Sequence, residues 1–253
     1  GDRMKTLVAM DTKSYTGKAL VKERTGKDVD FRNGDFTTTL IRTENGKMID
    51  INHDVMNPQP YSRMYQLVGS KGFANKYPNE GYALTSADLK SFGITPSREN
   101  LSNHDYLPEA DTKALETKFY HPILKKYGEM AKEVGGHGGM DFVEDSRLVY
   151  CLQNGLPLDI DVYDLGEWCC LAELGALSMD NNCAPVEVPD FTRGFWNKQK
   201  GYSHAFASPQ DEAEAERIAK EFTAGMKAGG EKFLKKYWKT EAQKAKKNSK
   251  KSK

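Results

Sequence analysis

Short apolar and β-branched runs crowd the first seventy or so residues, and longer runs with helical spacing follow. The opening "MKTLVAMDT" is a compact mixed run and predicts a strand. Residues 15–25 predict a short helix or lid, closed by Gly26. Two β-rich runs, 35–43 and 47–55, flank "ENGK", where Asn45-Gly46 predicts a tight hairpin with positive φ angles. A third run, "RMYQLVGSKG", follows a proline-rich bend at 58–60. These runs predict an antiparallel sheet or part of one. Residues 75–105, with Pro78, Gly81, Gly93 and Pro96, read as loop-rich.

The period then changes. "LPEADTKALETKFY" predicts a helix with Pro108 in its first turn. Pro122 breaks it at Tyr120–His121 and starts another. In that second helix Ile123, Tyr127, Met130, Ala131 and Val134 share one face. After "GGHGGMDF" (135–142) a helix is expected from Asp141, capped by Asp141 with Glu144 in a capping box, and closed by Gly155 with Pro157 beyond. Another helix is expected over about 161–176, and "APVEVPDFTRGFW" is irregular or extended. Ser208-Pro209, with Asp211 and Glu212, starts a final helix whose stripe is Ile218, Phe222 and Met226. Strands first and helices later predict an α+β fold: an open, mostly antiparallel sheet with helices on one face. The second face is left for a ligand, a partner or another domain.

Charge refines this picture. The net charge is +1, but residues 239–253 hold seven lysines and one glutamate, so the body is acidic by about five charges. A basic nucleic-acid-binding surface is therefore not its character; the tail either touches nucleic acid or anionic lipid or, the commoner case, is a disordered, solubilising end. No apolar run reaches the length of a transmembrane helix, and the first ten residues lack the h-region of a signal peptide. Cys151, Cys169, Cys170 and Cys183 include no CxxC pair, so zinc spacing is missing. Cys151, in "RLVYCLQNG", reads as a small buried hydrophobe.

Four stretches carry candidate chemistry. In "GGHGGMDF" four glycines surround His137 at a helix start, where backbone can approach a ligand closely. The imidazole there either meets a sugar hydroxyl or moves a proton, or else it merely bonds backbone in a helix–helix turn. In "HDVMNPQPYSR", His53, Asp54, Tyr61 and Arg63 follow a strand end, the usual place for a site. Tyr61 between Pro60 and Ser62 is either a pre-positioned substrate contact or an ordinary surface tyrosine of a bend. In "NGLPLDIDVYDLGEW", Asp159, Asp161, Asp164 and Glu167 lack EF-hand spacing, and Asp161 reads as a helix cap rather than a metal ligand. In "PDFTRGFW", Arg193 and Trp196 are candidate contacts, and the bland reading buries Phe191, Phe195 and Trp196 against the helices. No GxGxxG follows a strand, and neither a GxSxG elbow nor a P-loop occurs, so a complete oxidoreductase needs its nucleotide fold elsewhere.

"GDRMKTLVAMDT", "GDFTTTLIRTENGKMIDINHDV", "PQPYSR", "GGHGGMDF", "RLVYCLQNGLPLDIDVYD" and "PVEVPDFTRGFW" occur in that order. Over residues 1–196 they resemble the C-terminal half of the Gfo/Idh/MocA oxidoreductase-like proteins. The nearest branch is the NAD-dependent glycoside hydrolases of family 109, of the α-N-acetylgalactosaminidase type. The resemblance implies a substrate-binding and oligomerisation domain at 1–196; residues 197–253 lie outside its pattern and read by themselves as a helical extension at 197–238 and a lysine-rich tail at 239–253. It implies an N-terminal Rossmann domain holding NAD, and a Tyr-Pro-Thr-His segment, both preceding the present residues. The chain alone is then expected to be inactive and to bind NAD poorly. It further implies a carbohydrate substrate and a homo-oligomer formed through the open sheet face; relatives are often exported, which suits a periplasmic site, but the sequence leaves the compartment open. In the family mechanism hydride leaves sugar C3 to NAD⁺, the C2 proton is removed, the glycosidic oxygen is eliminated, water adds and hydride returns. That route needs no carboxylate pair. Tyr61 resembles the family's substrate-contacting tyrosine, and His137 the histidine of its glycine loop; Arg63 and His53 stand beside them as substrate-binding candidates. Gln59 stands where an arginine is usual, and "DLGEWCC" where small residues are usual, which leaves the sugar open. A plain sugar dehydrogenase, and a non-catalytic glycan-binding or dimerisation domain, are the alternatives.

Overall fold

The computed structural model describes residues 2–154, 158–198 and 232. The expected Gly155–Pro157 helix stop, the helix from Ser208 and the lysine tail lie outside the described residues. The fold is α+β, with six α-helices and two antiparallel sheets among the described residues. The chain divides into two compact units: Thr6–Lys125 with Glu173–Glu187, and Gly1–Lys5 with Lys126–Ala172 and the described residues from Val188 onward.

The first unit holds both sheets. Strands β1 (Met4–Asp11), β2 (Phe36–Thr43), β3 (Met48–Asp54) and β7 (Val186–Glu187) form a sheet in the order β3-β2-β1-β7. The β2–β3 register, Phe36 opposite Asp54 through Arg42 opposite Met48, is the hairpin the sequence predicts. Its turn differs in detail. Only Gly46 takes a positive φ, at 78°. Thr43 N–H bonds Lys47 O at 2.9 Å and Gly46 N–H bonds Thr43 O at 3.1 Å, so the loop has three residues and glycine forms its bulge.

Alternation along the strands leaves one face covered and one open. Leu7, Ala9 and Ile41 are fully buried, whereas Met10, Leu40 and Met48 stay exposed. Cover for the buried side comes from the end of α6 (Val162–Asp180). Ser178, fully buried, accepts the Ala9 N–H at 3.0 Å and donates to Ala184 O at 2.8 Å. A Cβ at Gly175 would sit 3.6 Å from the Ala9 methyl, so the helix lies close on the strand.

The third apolar run does not extend this sheet. Strand β4 (Gln66–Val68) pairs with β5 (Gly72–Asn75), and β5 with β6 (Gly81–Leu84), as a separate antiparallel sheet. Nor are residues 75–105 mere loop. Helix α2 (Ser86–Ser91) starts at a Thr85–Asp88 capping box, and Leu84, Leu89, Ile94, Leu101, Leu107 and Leu115 pack into one core cluster. Two buried polar residues tie the irregular part to it. Ser86 Oγ donates to Arg98 O at 2.8 Å and accepts Leu101 N–H at 2.9 Å. Asp111, in α3 (Glu109–Phe119), accepts the Ser97 N–H at 2.8 Å. Helix α3 starts at Glu109 with Pro108 at its N-cap, one position before the first turn expected for it, and α4 (Pro122–Val134) starts at Pro122. Ile123, Tyr127 and Ala131 are buried on the predicted face.

The second unit contains most of α4, the glycine loop and α5 (Met140–Asn154). Phe142, Tyr150 and Cys151 are its buried residues on α5, Cys151 packed as expected for a small hydrophobe. Helix α5 starts at Met140, preceded by a 3₁₀ turn at His137–Gly139. Asp141 therefore lies within the first turn instead of capping it. Arg147 bonds Asp159 in bidentate fashion at 2.7 and 3.1 Å, with side chains only 10% and 22% exposed. Backbone pairing continues at Val188, whose N–H bonds Lys5 O at 2.9 Å. In the loop Phe191–Gly194 and the turn Phe195–Lys198, Phe195 is 56% exposed, whereas the Phe191 ring lies against α6, 3.4 Å from where a Cβ at Gly166 would sit, and Trp196 is half-buried, so the arm packs on the helices in part.

Candidate functional site

The end of β3 builds the bend that carries Tyr61. Asp54 Oδ1 accepts the N–H groups of Met56 and Asn57 at 3.3 and 3.1 Å, and its Oδ2 accepts Asn57 Nδ2 at 2.9 Å. The Asn57 side chain first, then its N–H, holds the Asp54 carboxyl below the ordinary range. Thr16 Oγ1 reaches Asn57 Oδ1 at 3.3 Å and so joins the bend to α1 (Thr16–Thr25). The start of α1 has no cap from its own Tyr15 side chain; Asp35 supplies it, accepting N–H bonds from Tyr15, Thr16 and Gly17 at 2.8, 2.7 and 3.0 Å. Neither Asn57 nor Asp35 stands out in the sequence, because their partners come from separate segments.

Beyond the bend, three tyrosines gather round one guanidinium. Arg63 Nε donates to the Tyr61 hydroxyl, and a second guanidinium nitrogen reaches Tyr65 Oη at 3.5 Å. Tyr77 meets Tyr61 edge-on, with ring centroids 6.1 Å apart at 84°, and Tyr65 at 6.4 Å. Tyr61 and Tyr65 are 70% and 58% exposed, so this is an open platform of aromatic faces, hydroxyls and fixed positive charge. Ring faces suit the C–H face of a sugar, and the Arg63–phenol network suits its hydroxyls. Tyr61 and Arg63, neighbours in one stretch of sequence, are in contact, and Tyr65 and Tyr77 join them without having been singled out from the sequence. The density of tyrosines in "PYSRMY" and "NKYPNEGY" is the signal that marks them. His53 lies on β3 opposite Thr37, exposed at the sheet edge.

His137 belongs to the second unit. It takes φ 46°, inside a loop where Gly135, Gly136, Gly138 and Gly139 are also positive. Its Nδ1 lies 3.1 Å from both carboxylate oxygens of Asp141. The acids of 159–167 serve structure. Asp161 Oδ1 accepts Tyr163 and Asp164 N–H at 2.8 and 3.1 Å, and Asp164 accepts Asp161 N–H in return, a reciprocal cap at the start of α6. Glu167 accepts the Met4 N–H, and burial pushes its carboxyl up against the lowering effect of that bond. Among the described residues no three His, Cys, Asp or Glu side chains gather as a metal site, and no helix is long and apolar enough to cross a membrane. A separate groove of about 510 Å³ runs between β4–β6 and α3, lined by Leu67, Phe73, Leu84, Phe92, Phe119 and His121 among others. None of the predicted site residues lines it.

An α+β domain with an open sheet and an aromatic, cationic platform beyond a strand end is the class these features define. Residues 1–198 match the glycosyl hydrolase 109 C-terminal domain, and the chain belongs to that family. It is 66% identical over 248 residues to glycosyl hydrolase family 109 protein 5 of Phocaeicola vulgatus, covering 98% of this chain and 47% of that protein. Protein 4 of the same organism is 66% identical over 245 residues, 96% of this chain and 47% of its own length. Glycosyl hydrolase family 109 protein 1 of Bacteroides thetaiotaomicron is 62% identical over 208 residues, 82% of this chain and 44% of its own. The chain thus spans about half the length of these relatives. The match over 98% of the chain also carries the likeness past residue 198, where the family domain stops.

Proposed function

We propose that this chain is the substrate-binding half of an NAD-dependent glycosidase of the Gfo/Idh/MocA type that cleaves N-acetylhexosaminides by redox elimination. The observation that carries the reading is the Tyr61–Arg63–Tyr65–Tyr77 platform in a family 109 domain. Tyr61 and Arg63 bind and orient sugar hydroxyls there, and His53, exposed on β3, is a further candidate contact. His137, in the second unit, is a separate candidate for contact with carbohydrate. The described residues do not fit NAD. A dinucleotide fold needs a glycine loop between a strand and a helix, whereas the glycine loop here joins α4 to α5. NAD is therefore assigned to the remainder of a longer protein. The chain alone then hydrolyses nothing and shows no saturable NAD binding.

The test is the full-length protein with an aryl N-acetyl-α-galactosaminide. Release of the phenol without net NADH supports the reading. Stoichiometric NADH instead identifies a sugar dehydrogenase. Glycan binding by this chain with no turnover by the full-length protein identifies a binding domain.

A further inference from the structure

The glycine loop holds one contact that a simple helix–helix turn does not require. The His137 imidazole meets the Asp141 carboxylate through Nδ1, 3.1 Å from each oxygen. A carboxylate only accepts hydrogen bonds. A neutral imidazole in this contact therefore carries its proton on Nδ1 and its lone pair on Nε2. Gly136 clears the space for it: a Cβ there would lie 2.7 Å from Asp141 Oδ2 and 2.9 Å from Asp141 Cβ. The His137 backbone is meanwhile held at φ 46°, a conformation a histidine adopts only when its surroundings impose it. The ring is not buried as a packing element. Its side chain is 77% exposed and that of Asp141 49%, so the edge away from the carboxylate faces outward.

We infer that Asp141 is a positioning residue that fixes His137 as the Nδ1–H tautomer, so that Nε2 accepts a hydrogen bond from a hydroxyl of the carbohydrate substrate. The second half of this statement rests on the proposed glycosidase reading. The arrangement is that of an imidazole oriented by a carboxylate on its other nitrogen.

Long-range ¹H–¹⁵N correlation on the ¹⁵N-labelled chain, at a pH where the ring is neutral, reads the tautomer directly. His137 is expected to show a protonated Nδ1 and a bare Nε2. Asp141→Ala is expected to move the population toward the Nε2–H form. Gly136→Ala should do the same with Asp141 still present, and Asp141→Asn, whose carbonyl still accepts, should restore the wild-type form. The amide spectrum of each variant reports folding. An Nε2–H ring in the wild type, or a tautomer unmoved in both alanine variants, overturns the assignment to Asp141. In the full-length protein His137→Gln is expected to lower kcat/KM about tenfold, the loss of one hydrogen bond at most. Unchanged kcat/KM with the tautomer as expected overturns the substrate contact alone and leaves the role of Asp141 standing.

Discussion

Asp35 and Gly17 meet across the start of α1, the carboxylate accepting the glycine N–H at 3.0 Å while also holding the N–H groups of Tyr15 and Thr16. The helix is thus capped by a residue eighteen positions downstream of Gly17. These bonds, the Gly17 N–H first, hold the Asp35 carboxyl below its ordinary 3.8. A depressed acid stabilises the fold above its unfolded pKa and loses that contribution as pH falls through the folded value. Asp35→Asn should therefore melt below wild type at neutral pH, and the gap in Tm should close as pH falls below about 3.8. Circular dichroism melts at a neutral and a strongly acid pH check this; a gap that stays constant would refute the linkage.

Ser178 offers a second check, on packing. Its hydroxyl is fully buried and serves Ala9 N–H and Ala184 O together. Ser178→Ala strands both backbone groups and should cost about 1–3 kcal/mol, read by urea denaturation. Ser178→Thr keeps the hydroxyl but adds a methyl where the helix lies close on β1, so it should cost stability by crowding instead.

The unequal legibility of the sequence has a physical basis. The β2–β3 hairpin was readable because seven register pairs alternate around one glycine turn. Strands β5 and β6 escaped because four residues such as "GFAN" and "GYAL" are too short to show a period. Helix breaks at Pro122 and Gly26 were plain, since proline and αL glycine act locally. Asp141 was misread as a cap because an acid at a helix start serves either the backbone or a nearby side chain, and only geometry decides. Tyr61 and Arg63 stood out through the prolines before them; Tyr77 joined them only through strand pairing of β4 with β5.

The glycine loop allows a matched comparison. A Cβ at Gly138 meets nothing within 4 Å, so Gly138→Ala suffers only from its φ of 72° and should cost about 1 kcal/mol. A Cβ at Gly139, at φ 100°, would fall 2.5 Å from the Ala131 carbonyl carbon and 2.7 Å from its oxygen. Backbone cannot yield as a flexible side chain does, so Gly139→Ala should cost roughly 2–4 kcal/mol. Chemical denaturation of the two variants separates conformational strain from close approach; equal losses would refute the contact with α4.

The platform makes the sharpest demand on function. Arg63 bonds Tyr61 from Nε and reaches Tyr65 from a terminal nitrogen, two directions that one ammonium group cannot serve together. In the full-length protein Arg63→Lys should therefore raise KM about 10-fold or more while changing kcat less, the pattern of lost substrate binding. Tyr77 touches its neighbours through its ring, so Tyr77→Phe should stay near wild type and Tyr77→Ala should resemble Arg63→Lys. Tyr61→Phe removes the hydroxyl yet keeps the edge-on ring contact, and should lower kcat/KM without a change in Tm. If instead Arg63→Lys and Tyr61→Phe both leave KM and kcat untouched, the three tyrosines hold only the bend, and the sugar must be bound elsewhere on the domain.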